Sequence, residues 1–137
     1  MRALIFGASG QDGTLLQEVL RTKNYIIKKS PRFKLSDATE NELEDLISSF
    51  RPNHIYYLSA IHGSSRDAIN NNVSLLKDHF NVNTLIPSLV PKIVQKIGLA
   101  CSYFYSSSSL IYLPSSHKID ENGHISPKCI YSCSKHL

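Results

Sequence analysis

An apolar run, Ala3-Leu-Ile-Phe6, ends on Gly7 and opens a G-x-x-G-x-x-G pattern through Gly10 and Gly13. No other feature restricts the fold as much. Leu15, Leu16, Val19 and Leu20 follow at helical spacing, so the chain must leave an extended segment and enter a helix within a few residues. Glycine suits a turn where a Cβ would hold a ligand off the backbone, and the first N–H groups of the helix gather at its positive end. Together they suit a diphosphate, with Ser9, Gln11 and Asp12 as further candidate contacts between the glycines. The spacing differs from the G-x-G-x-x-G of many dinucleotide sites. A glycine turn serving only strand–helix packing is the alternative, and the strand–turn–helix context weighs against it.

Behind this turn the chain alternates strand and helix signals. Tyr25-Ile26-Ile27 reads as a second strand, stopped by Lys28-Lys29-Ser30-Pro31, and Phe33–Leu35 as a third, very short one. Thr39-Glu40-Asn41-Glu42 is a capping box, and Leu43, Leu46, Ile47 and Phe50 form one face of the helix it opens. Pro52 stops that helix, and His54–Leu58 is the next strand. Residues 66–97 read as a long helix ended by Gly98. Pro87 and Pro91 lie inside it, each costing about 3 kcal/mol in a helix interior, so a kink or break is predicted there. Ser102–Tyr105 is a fifth strand, residues 113–129 a loop, and a last helix begins near Ile130. The alternation predicts an α/β fold with a parallel sheet of about five strands, in one domain spanning 1–137.

Composition narrows the function classes. At 42% hydrophobic and 19% charged, the 137 residues are too apolar for a disordered chain. No apolar run approaches the roughly 18 residues of a membrane span, and the first residues are too short and polar for a signal peptide. The net charge of +4 is scattered apart from Lys28, Lys29, Arg32 and Lys34, which suits a local anion site better than a nucleic-acid surface. Three cysteines without framework spacing fit reduced thiols in a cytoplasm. No metal-ligand pattern stands out.

Two further groups carry chemistry. After the second strand, where a NAD site has an acidic residue for the ribose, this chain has Lys28, Lys29, Ser30 and Arg32. Cations and a hydroxyl favour a 2′-phosphate, hence NADP over NAD; a solvated basic turn remains the alternative. Tyr131-Ser-Cys-Ser-Lys135 is Y-x-x-x-K, and on a helix both residues share a face. Lys135 would stabilise a phenolate on Tyr131, and Ser108, at the tip of the serine-rich strand, would hydrogen-bond the reacting oxygen. Tyr25 and Lys29 share the same spacing, so the pattern alone says little; its order behind the glycine loop and serine strand gives it weight. Taken singly, Ser106–Ser109 also reads as a strand-end loop and Tyr131 as a packing residue.

With these residues in view the sequence resembles the extended short-chain dehydrogenase/reductase family of NAD(P)-dependent sugar-nucleotide epimerases and dehydratases. The resemblance runs through Gly7–Gly13, Leu35–Thr39, Arg51–Ala60, Asn81-Val-Asn83, Phe104–Tyr112 and Tyr131–Lys135. The Gly10-Gln-Asp-Gly13 variant and the Lys28-Lys29-Ser30 turn look most like the GDP-mannose 4,6-dehydratase branch. The resemblance implies a Rossmann-type doubly wound sheet, incomplete at its C-terminal side, with no substrate domain. It implies that Ser108 takes the Ser/Thr position of a catalytic triad and Tyr131 the base position. Lys135 then holds the nicotinamide ribose and tunes Tyr131, and Leu58 and Ala60 flank the cofactor. A nucleotide-sugar substrate and a homodimer follow from the same likeness. Leu110 stands where those dehydratases carry a Glu for elimination, which argues against 4,6-dehydration; Lys34, Leu113, Pro87 and Pro91 are further departures. Family members continue well past the Y-x-x-x-K, so a fragment of a longer enzyme, or a truncated product without turnover that binds a cofactor or partner, is expected.

Overall fold

The structure, a computed structural model, describes residues 1–30, 35–62 and 73–136. Its sheet has four parallel strands in the order β2-β1-β3-β4: β1 Arg2–Phe6, β2 Ile26–Lys29, β3 His54–Tyr57 and β4 Ser102–Tyr105. Helices α1 (Gln11–Thr22), α2 (Glu40–Phe50), α3 (Val73–Phe80), α4 (Ile86–Lys96) and α5 (Ile130–Lys135) lie between and after the strands.

The strands are near-continuously apolar because the sheet is covered on both faces. Leu4, Phe6, Ile55 and Tyr57 point to one side, where Leu43, Leu46 and Ile47 of α2 meet Ile86, Val90 and Ile93 of α4. Ala3 and Ile5 point to the other, against Leu20 of α1. The α2 capping box forms as its sequence predicts. The Glu42 N–H donates to Thr39 Oγ1 at 3.3 Å, and the Thr39 N–H donates to Glu42 Oε2 at 2.8 Å. That second bond holds the Glu42 carboxyl below the usual range. Arg51 ends the helix in the left-handed region (φ 48°), one residue before Pro52.

The four described strands agree with the expected parallel sheet of about five; Phe33 and Lys34 of the short third strand lie outside the described residues, and Leu35 opens a 3₁₀ turn, Leu35–Asp37. Strand β2 runs through Lys28 and Lys29 rather than stopping before them, since both pair in register with Leu4 and Ile5 of β1.

The long helix is interrupted. Between α3 and α4, residues Asn81–Leu85 form a turn of π-helix, in which the Ile86 N–H bonds to the Asn81 carbonyl five residues back. Pro87 follows in the first turn of α4, where its missing N–H is tolerated, and Pro91 lies inside. Each proline deprives a carbonyl one turn back of its donor. Tyrosine hydroxyls from β3 and β4 donate to three carbonyls of this stretch. Tyr57 donates to the Val82 carbonyl at 2.6 Å, Tyr105 to Asn83 at 2.7 Å and Tyr103 to Pro87 at 2.9 Å. Burial pushes all three phenols up, Tyr105 to about 12. A sequence costly as a free helix is thereby fitted to this sheet, each bond contributing about 1 kcal/mol.

Candidate functional site

Strand β1 lies between β2 and β3, so the chain passes to one side of β1 and then crosses to the other. In parallel sheets the crevice at such a reversal, at the carboxyl ends of the strands, is where ligands bind. A cleft of about 400 Å³ opens there, lined by Gly7 and Gly10 after β1, Leu58–Ile61 after β3, Leu35 and Ser36 of the 3₁₀ turn, and Asp78 and Val82.

The three glycines do different things. Gly7 has φ +81°, and a Cβ there would lie 2.7 Å from the Ser59 nitrogen and 2.8 Å from the Leu58 carbonyl carbon. A Cβ on Gly13 would lie 2.7 Å from Ala8 Cα, so this glycine lets α1 press against the turn. A Cβ on Gly10 would meet only the Gly7 carbonyl, at 3.4 Å. Gly10 is therefore not required by packing, and it faces the cleft as the residue before α1. Its side-chain-free position leaves the first N–H groups of α1 without a side-chain cap. Ser9, Gln11 and Asp12 are exposed around this turn.

Gln17, only 4% exposed, fixes the loop from behind. Its amide donates to the Ala8 carbonyl at 2.6 Å and to the Gly13 carbonyl at 2.8 Å. The glycine pattern does not point to Gln17; its place on the face shared by Gly13 and Leu20 marks it as an inward polar residue. Gln17→Leu is expected to lower stability by about 2 kcal/mol by leaving the Ala8 carbonyl unpaired, read as a fall in the denaturant midpoint; an unchanged midpoint would refute this role.

Lys28, Lys29 and Ser30 diverge. The Lys28 ammonium stands 5.5 Å over the Phe50 ring, on the α2 side of the sheet. Lys29 pairs with Ile5 and is exposed, and the half-buried Ser30 donates its N–H to the Ile5 carbonyl at 3.0 Å, beside the end of β1. Arg32 lies outside the described residues.

Past the cleft, α5 docks on the serine-rich end of β4. Lys135, 2% exposed, donates from Nζ to the Ser106 carbonyl at 2.6 Å, with its ammonium 4.6 Å over the Tyr105 ring. Ser107 Oγ donates to the Lys135 carbonyl at 3.1 Å. Burial lowers the Lys135 ammonium to about 8. Ser108 is half-buried, and its Oγ accepts from the Leu110 N–H at 3.2 Å, capping a second 3₁₀ turn, Ser109–Ile111. Tyr131 is half-buried with its ring 4.6 Å from that of His62. Ser108, Tyr131 and Lys135 thus border one end of the sheet without a hydrogen bond joining them directly. Leu110 is 47% exposed.

Asn83, fully buried in the π turn, ties these parts together. Its Oδ1 accepts from the Ile61 N–H at 2.9 Å, and its Nδ2 donates to the Ile61 carbonyl and to Ser134 Oγ, both at 2.9 Å. Thr84 Oγ1 adds a bond to the Ser134 carbonyl at 2.6 Å. Asn83 lay in a stretch singled out by the sequence, but nothing there assigns it this role. Among the described residues no group of three or more His, Cys, Asp or Glu side chains could hold a metal, and no helix is long and apolar enough to cross a membrane.

A glycine turn at a switch point, followed by a serine-ended strand and a Tyr/Lys helix, defines a class of dinucleotide-binding α/β folds. The chain belongs to the NAD dependent epimerase/dehydratase family, whose model matches residues 3–137. Among solved structures it is similar to a dTDP-4-dehydrorhamnose reductase from Bacillus anthracis in complex with NADP, at 22% identity over 98% of this chain and 46% of that one, with a TM-score of 0.78. It is similar to the Thermus thermophilus UDP-glucose 4-epimerase in complex with NAD, at 20% identity over 98% of this chain and 47% of that one, with a TM-score of 0.74. The Bordetella bronchiseptica enzyme WbmG in complex with NAD and UDP matches at 21% identity over 98% of this chain and 46% of that one, with a TM-score of 0.78. At these identities the likeness establishes the fold. The chain spans about half the length of the structures it matches. No curated protein matches it.

Proposed function

We propose that residues 1–137 form one dinucleotide-binding unit of a sugar-nucleotide epimerase, dehydratase or reductase, taking NADP, with NAD as the alternative. The observation that carries this reading is the open Cβ position of Gly10, at the uncapped start of α1 and facing the cleft. A dinucleotide diphosphate placed there would meet backbone N–H groups and the positive helix end. Gly7, Gly13 and Gln17 hold that backbone in shape, and Leu58 and Ala60 form the facing wall. Lys29 and Ser30, at the end of β2, support a 2′-phosphate contact; Lys28, drawn to Phe50, does so less. The similar structures, with NADP in one and NAD in two, support either dinucleotide. Three free thiols suit a cytoplasmic protein.

When bound, the nicotinamide supplies or takes the hydride. Tyr131 holds or moves the proton of the sugar hydroxyl, Ser108 orients that oxygen, and Lys135 provides the neighbouring positive charge. The UDP in one similar structure supports a nucleotide-sugar substrate. A second reading, a binding module without turnover, is favoured by the engagement of Ser108 with Leu110 rather than with Tyr131.

Calorimetric titration with NADPH and NADH tests the reading: saturable binding is expected, tighter for NADPH, and the absence of binding by both would end it. Ser108→Ala and Tyr131→Phe are expected to spare cofactor affinity while lowering nucleotide-sugar turnover about 10²-fold or more. The absence of turnover in all three proteins would leave the binding-module reading standing.

A further inference from the structure

Lys135 is almost fully buried, with a backbone carbonyl, that of Ser106, as its hydrogen-bond acceptor. An ammonium taken out of water without a carboxylate close by is costly, and something must offset that cost if it stays charged. The group over which it lies is the ring of Tyr105, 4.6 Å away. An aromatic face is negative and attracts a cation, more strongly where both are desolvated. The Tyr105 ring is itself held. Its hydroxyl donates to the Asn83 carbonyl, in the π turn ahead of Pro87, at 2.7 Å. The ring also meets that of Tyr57, with centroids 6.1 Å apart.

We propose that Tyr105 is a positioning residue for Lys135: its ring is the surface on which the buried ammonium rests, and its hydroxyl, tied to the Asn83 carbonyl, fixes that ring in place. The functional meaning of the device rests on the reading of Tyr131 and Lys135 as an acid–base pair. The contact itself does not, and it is measured without turnover. Among the described residues, the ionisable groups on the elements around α5 are Tyr131 and Cys133 on α5 itself, Tyr103 and Tyr105 on β4, Lys77, Asp78 and His79 on α3, and His62 after β3. Of these, Tyr105 is the one lying beneath the Lys135 ammonium.

The test is a pH titration of the whole chain labelled with 13Cε-lysine, with the His62 and His79 resonances followed alongside. In the native protein the Lys135 Hε protons are expected to be shifted upfield by the Tyr105 ring current; their absence from the upfield region would overturn the proposal even if no variant folds. Tyr105→Phe keeps the ring and is expected to leave the Lys135 midpoint within about 0.3 unit while lowering the melting temperature. Tyr105→Leu and Tyr105→Met remove the ring, and either, folded, is expected to lower the Lys135 midpoint by about 0.5–1 unit, because the charged form loses its partner. An unchanged midpoint in the ringless variants, or an equal fall in Tyr105→Phe, would overturn it. Cofactor titration of the same proteins reports separately on the dinucleotide reading, so either can fail alone.

Discussion

Gly10→Ala is expected to yield a folded protein that has lost most of its affinity for a nicotinamide dinucleotide, whereas Gly13→Ala is expected to damage the fold itself. The difference follows from what a methyl group would meet. At Gly13 it would lie 2.7 Å from Ala8 Cα and closer still to the Gly7 carbonyl, both backbone. Neither can rotate away, so α1 must lift off the turn, at a cost of about 3 kcal/mol. For a domain of this size that is a fall of some 10 °C or more in the melting temperature. At Gly10 the methyl has room, meeting only an oxygen at 3.4 Å. Stability should change by about 1 kcal/mol or less, the ordinary difference between glycine and alanine before a helix. The methyl would, however, occupy the approach to the first N–H groups of α1, and a drop of about 10-fold or more in affinity follows if a diphosphate must reach them. Thermal melting and calorimetry on the two variants check both halves. Native affinity in Gly10→Ala would remove the main support for the dinucleotide reading.

The strand–helix alternation, the capping box and the place of the glycine loop were legible in the sequence because each is local: a short apolar run, Thr39 with Glu42, and three glycines ahead of Leu15 and Leu16. What was not legible is what the sheet does to its neighbours. Lys28 and Lys29 look like one basic turn, yet as successive residues of β2 they point to opposite faces, and Lys28 is drawn to Phe50. Pro87 and Pro91 look like simple breaks. The structure ties carbonyls of that stretch to Tyr105 and Tyr103, and spacing cannot reveal such partners. Ser108, Tyr131 and Lys135 could be named from their order, but their contacts with Leu110, His62 and Ser106 come from the folded structure. Asn83 is the extreme case, an ordinary polar residue in sequence and the joint of the site in the fold.

Asn83 is therefore where a single substitution should cost most in this half of the site. Its amide serves both polar groups of Ile61 and the hydroxyl of Ser134, so it connects the loop after β3 to α5, the helix bearing Tyr131 and Lys135. Asn83→Leu fills similar space but leaves a buried N–H and carbonyl without partners, and a loss of about 3–4 kcal/mol is expected. Asn83→Asp separates geometry from charge. A carboxylic acid can still accept from the Ile61 N–H and, while protonated, donate once; ionised in this buried turn it can donate nothing and carries an uncompensated charge. Its folded-state pKa must then stand above the unfolded value of about 3.9. The folded state binds the proton more tightly, so stability is greatest below about pH 4 and falls as pH rises towards the folded-state pKa. Denaturant unfolding of Asn83→Asp should therefore show a midpoint that drops between pH 4 and 7 relative to the native chain, whereas Asn83→Leu should show no such added pH dependence. Parallel pH profiles for Asn83→Asp and the native protein would mean that position 83 is not the buried joint that these hydrogen bonds describe.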